Sequence, residues 1–78
     1  MNILELINKM KTKGYYYVTG NTNDRDDIIY LNFTTNYNGR GEFANFEIFN
    51  NNHSFRSKYV FKENLSDVEL FKLIDELC

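Results

Sequence analysis

The sequence predicts an α+β fold: a helix, a four-stranded antiparallel meander and a second helix, with both helices on one sheet face. Three observations predict it. Apolar residues recur at helical spacing near both ends of the chain, each run preceded by capping signals. Between them the period falls to two. Short polar turns separate the strand-like runs, and connections this short imply sequential antiparallel pairing.

The opening "MNILELINKMKTKG" has both ends of a helix written into it. Asn2 is placed to cap, Glu5 answers it three residues on, and Met1 with Leu6 forms a hydrophobic staple. Gly14 supplies the left-handed stop. Ile3, Leu4, Leu6, Ile7 and Met10 fall on one broad stripe, while Glu5, Lys9 and Lys13 face away. "YYYVT" (15–19), "IIYLNFTT" (28–35), "EFANFEIF" (42–49) and "FRSKYVFK" (55–62) read as the four strands. Residues 38–41, Asn-Gly-Arg-Gly, give a turn between the second and third, and Asn50–His53 one between the third and fourth. The closing helix begins with a capping box, Ser66 with Glu69, and a staple, Leu65 with Leu70. Leu70, Phe71, Leu73, Ile74 and Leu77 form its inward stripe.

At 78 residues the chain makes one domain, 1–78, near the small end of what folds alone. Aromatic residues, 17% of the chain, give much burial per side chain and suit a core with few layers. A single cysteine, Cys78, excludes a disulfide framework and fits a reducing, cytoplasmic setting. No run approaches the ~18 apolar residues of a membrane span. A net charge of −2 argues against direct nucleic-acid binding, which needs a basic footprint. The meander leaves Ile28, Tyr30, Phe43 and Phe49 on the face away from the helices. Curling sheet edges would bury them; left open, they would mark a partner or dimer surface.

Candidates for chemistry are few. His53 is the only histidine and reads as an exposed residue of the polar turn "NNNHS", with no nucleophile or acid signalled beside it. Cys78 closes the last helix without a framing histidine. No catalytic residue and no cofactor are therefore expected. The run "NTNDRDD" resembles a calcium loop only superficially. Asp26 stands where the sharp-turn glycine belongs and Asn32 where the bidentate glutamate belongs, so no metal site is expected. Lys9, Lys11 and Lys13 suit the negative end of the first helix. Arg56, Lys58 and Lys62 are expected along an edge strand, as charges that discourage edge pairing. Asp24, Asp26 and Asp27 would span about 10 Å in an extended loop, at ~3.3 Å per residue. That is the scale of phosphate spacing, so the row is either a solvated turn or a phosphate-like surface for a cationic groove.

On the order of its first elements, "MNILELINKMKTKGYYYVTGNTNDRDDIIYLNF", the chain resembles the start of small phage-borne anti-CRISPR proteins that inhibit the type II effector nuclease. Met1-Asn2-Ile3, Leu6-Ile7, Lys11, Lys13 and Tyr15 carry the likeness, with the turn "NGRGEF" (38–43). The likeness covers about the first half. Gly14 and Asn38 stand where that family has acids. The resemblance implies a non-enzymatic inhibitor in the bacterial host cytoplasm, monomeric or homodimeric, that occupies the nuclease's DNA groove as a DNA mimic. Tyr15 and Glu42 fall at matching positions near that surface. The expected contact set is thus Asp24, Asp26 and Asp27 with Tyr15 and Glu42. Rival expectations are a bacteriocin-type immunity or antitoxin protein, and a homodimerising accessory protein using the open aromatic face.

Overall fold

The computed structural model describes residues 1–23, 27–36, 38 and 40–77. The elements run α1 (Ile3–Thr12), β1 (Tyr16–Asn23), β2 (Ile28–Thr34), β3 (Phe43–Ile48), β4 (His53–Ser57), β5 (Phe61–Leu65) and α2 (Asp67–Glu76). The strands form one antiparallel sheet in chain order, β1 to β5. The α+β class is as expected; the sheet has five strands rather than four.

The extra strand comes from the segment 55–62, which bends in its middle. The Ser57 N–H donates to the Val60 carbonyl at 2.8 Å, and β5 turns back to pair Phe61 with Arg56. Folding back gives the second half a ladder of backbone hydrogen bonds that a single long edge strand would lack. Asn64, with φ of +59°, sits where the β4–β5 register shifts before His53 pairs with Leu65. The fold-back places Arg56 on an inner strand rather than at the expected sheet edge. β4 starts at His53, so the preceding turn is Phe49–Asn52, closed by the Asn52 N–H on the Phe49 carbonyl.

The helix ends follow the local chemistry. The Glu5 N–H donates to Asn2 Oδ1, and Gly14 takes φ of +88°. Gly14 N–H donates to Lys11 O and Tyr15 N–H to Met10 O, which completes a Schellman stop. In α2, Ser66 and Glu69 bond reciprocally as a capping box. The Met1 ammonium meets Asp67 at 3.4 Å and Lys9 meets Asp75 at 3.1 Å. Because the first pair joins the N-terminal ends and the second the C-terminal ends, α1 and α2 run side by side in one direction. Leu4 departs from the expected stripe and is 67% exposed.

Leu6 and Met10 from α1 and Leu70 and Ile74 from α2 share one core with the inward side chains of β2, β3 and β4. Cross-strand register fixes which side chains those are: Leu31 pairs with Phe46, Phe33 with Ala44, and Phe46 with Phe55. The same alternation sends Tyr30, Asn45 and Arg56 to the opposite face, which no helix covers.

The β2–β3 connection is held by hydroxyls. Thr34 Oγ1 accepts from Gly41 N–H at 3.2 Å, and Thr35 Oγ1 from Glu42 N–H at 2.9 Å. A Cβ on Gly41 would strike Thr35 Oγ1 and lie 2.7 Å from the Asn36 backbone nitrogen. Gly41→Ala is therefore expected to cost ~1–3 kcal/mol, since backbone cannot swing aside. At Gly20 the obstacle is the far end of the Tyr17 side chain, which can move. Urea midpoints should fall more for Gly41→Ala than for Gly20→Ala; the reverse order would refute the account of this loop.

Candidate functional site

His53 is where the structure departs furthest from sequence expectation. It is fully buried, not an exposed turn residue. As the first residue of β4 it points to the same face as Phe55, towards the core. Its Nδ1 accepts from the Phe49 N–H at 3.1 Å, which puts the proton of the neutral ring on Nε2. Nε2 then donates to Asp67 Oδ1 at 2.5 Å. Asp67 also meets the Met1 ammonium, and its own N–H donates to Asn51 Oδ1 at 2.8 Å. The hydrogen bond from His53, and after it the N-terminal ammonium, holds the Asp67 carboxyl below the ordinary carboxylate range. An aspartate–histidine pair resembles half of a catalytic triad. Here the nitrogen that would have to face a nucleophile is already bonded to backbone and shut away from solvent. The arrangement ties the 49–53 turn to the start of α2. The signal was in the sequence: the two-residue period that buries Phe55 buries His53 when carried one step back.

Of the five residues expected to form one contact surface, Tyr15, Asp27 and Glu42 are among the described residues. Tyr15 and Glu42 do come together. They flank the ladder position where Tyr16, Thr34 and Phe43 stand side by side. Burial, and then the Glu42 carboxylate, raises the Tyr15 phenol above its ordinary pKa. Asp27 lies at the far end of the same ladder, beside Ile28, with φ of +54°. Six residues of strand separate the two ends, about 20 Å at ~3.3 Å per residue. Asp24 and Asp26 lie outside the described residues, as does Cys78. Among the described residues no three His, Cys, Asp or Glu side chains converge on a point that could hold a metal.

The uncovered sheet face forms a shallow hollow running from Ile28 and Tyr30 on β2 across to Phe61 and Glu63 on β5. Phe43 and Phe49 are 38% and 36% exposed and Phe61 is 56% exposed, so the edges do not curl enough to bury them. Between the aromatics stand Asn32, Asn45 and Ser54, with Glu47 accepting from the Ser54 hydroxyl at 3.3 Å. The Arg56 guanidinium lies over the Phe61 ring at 4.9 Å. All six lysines stand elsewhere: three on or just after α1, one on α2, one in the β4–β5 turn, and Lys62 opposite core-facing Phe55. The sequence places Ile28, Tyr30, Phe43 and Phe49 on this face but not Arg56, Phe61 or Glu63, because the fold-back of β5 beside β4 carries no turn signal.

No protein-family model matches the chain, and neither the curated proteins nor the solved structures give a match.

Proposed function

We propose that this chain is a non-enzymatic protein-binding domain that acts by contact, with the uncovered sheet face as its contact surface. One observation carries the reading: a face rich in aromatic side chains, asparagine and one arginine, and free of lysine. Protein interfaces are enriched in aromatics and arginine and depleted in lysine. A nucleic-acid surface needs the opposite, a cluster of cations, whereas Glu47 and Glu63 here outnumber Arg56. Engagement of both ring nitrogens of His53 supports the absence of catalysis. No helix among the described residues is long and apolar enough to cross a membrane.

The likeness of the first half supplies a target, a type II CRISPR effector nuclease, which a bound protein would inhibit by keeping DNA from its groove. Support for an acidic row as the contact is weaker than for the face, since Asp27 and Glu42 sit at opposite sheet ends. The test is DNA cleavage by the purified, guide-loaded effector with and without the chain. Inhibition is expected, and Tyr30→Ala or Phe61→Ala should abolish it. Asp27→Asn keeps a residue tolerant of positive φ and should weaken inhibition less than about fivefold, as for an exposed charge. Unimpeded cleavage at excess chain would remove the effector as target. Inhibition lost on Asp27→Asn and kept on Phe61→Ala would move the contact to the acidic end.

A further inference from the structure

We infer that the uncovered sheet face binds a second copy of this chain, giving a face-to-face homodimer. The inference rests on the reading of that face as a protein contact surface and gives it a resting occupant, a second copy that competes with the effector and must leave before the effector can bind there. Charge is the first argument. Arg56 makes no ion pair among the described residues and rests on Phe61, while Glu47 on β3 and Glu63 on β5 line the same hollow. A strongly cationic or anionic partner would meet repulsion from one sign or the other. A second copy brings the same cation and the same two acids, and a two-fold axis makes each Arg56–carboxylate contact twice.

Size and relief agree with this. Five strands spaced ~4.8 Å apart and about six residues long give a face about 20 Å on a side. That is about 400 Å² in plan, which side-chain relief enlarges to the low end of the interface range, below the ~800 Å² per partner of a standard interface. Sheets packed face to face stand ~10 Å apart, a gap filled by interdigitating side chains. Tyr30, Phe49 and Phe61, set among the smaller Asn32, Asn45 and Ser54, supply the large and small positions such packing uses. Asparagine and serine also pair across a dimer without leaving a charge unmatched.

Sedimentation equilibrium over micromolar to millimolar concentration tests the inference. Wild type should show twice the 9.3 kDa mass of one chain. Arg56→Glu sets like charges against each other and should weaken the dimer by about thirtyfold or more. The pair Glu47→Arg with Glu63→Arg should do the same by the opposite route. Mixing the two variants should restore a dimer, a result that also shows both remain folded. A wild type that stays monomeric throughout, or an Arg56→Glu variant that dimerises as tightly as wild type, would overturn the inference. Monomeric wild type with inhibition still lost on Phe61→Ala would leave the face as a contact surface for another protein. A dimer broken by Arg56→Glu with inhibition undiminished would keep the dimer and remove the face from the inhibitory contact.

Discussion

Phe46→Ala is expected to lower unfolding free energy by ~3–5 kcal/mol, the range for a buried phenylalanine truncated to alanine. Phe46 is 1% exposed and stands on β3, the middle strand. Its ring meets Phe33 edge-on at 5.7 Å and Phe55 at 5.1 Å, and Tyr17 extends the row against Phe33 at 5.6 Å. One aromatic ladder therefore crosses β1 to β4 beneath both helices, and Phe46 is an inner member in contact on two sides. Total stability for a chain of this size is on the order of 4–12 kcal/mol, at ~0.05–0.15 kcal/mol per residue. Loss of this one ring would consume a large part of it. Phe46→Leu keeps most of the volume and should cost less than half as much. Phe61→Ala, on the uncovered face, should cost under ~1 kcal/mol in the isolated chain. Urea unfolding of the three variants checks the order. Equal losses for Phe46→Ala and Phe61→Ala would mean that the sheet faces have been assigned wrongly.

Parts of the fold governed by short-range chemistry were legible from residues alone. Asn2, Gly14 and the Ser66–Glu69 box act within one helical turn, so they hold whatever packs above them. The inward set Leu31, Phe33, Ala44 and Phe46 follows from a period of two that no tertiary contact can alter without flipping the strand. The β4–β5 turn was not legible, because Ser57-Lys58-Tyr59-Val60 contains no glycine, asparagine or proline to announce it. One missing strand then displaced Arg56 from the interior of the sheet to its edge. Lys9 and Lys13 suit their own helix's dipole, yet Lys9 pairs with Asp75 and Lys13 donates to the Asp75 carbonyl at 3.0 Å. Those partners are more than sixty residues away and depend on how α1 lies beside α2, which sequence periodicity does not specify. Tyr15 and Glu42 are neighbours because both flank the same ladder row. Asp27 did not join them, since proximity in sequence to a strand says nothing about which end of the sheet the residue marks.

His53→Ala is expected to be the second most damaging single change, costing ~2–4 kcal/mol as a buried truncation that also orphans its hydrogen-bond partners. Alanine leaves a cavity, strips the Phe49 N–H of its acceptor and leaves Asp67 without its principal donor. Asparagine should rescue part of the loss, since its Oδ1 can stand where Nδ1 accepts from Phe49. The same cluster predicts an acid limb. The Asp67 carboxyl is lowered in the folded state, chiefly by the bond from His53. Its contribution is therefore complete above the unfolded aspartate value of ~3.9 and is lost as pH falls through the lower folded value. Glu69, lowered by its capping bonds to Ser66, loses its contribution in the same direction. Side-chain exposure of 39% at Asp67 screens the interaction, so the limb should be shallow. Asp67→Asn keeps the shape of the side chain and removes the titrating group. It should be less stable than wild type at neutral pH, and the difference should shrink as pH falls from ~5 towards ~2. Urea midpoints of wild type and Asp67→Asn, measured across that range, decide the matter. A constant gap between the two curves would show that the charge on Asp67 contributes nothing. The His53 cluster would then hold the 49–53 turn to α2 through packing and the Phe49 bond alone.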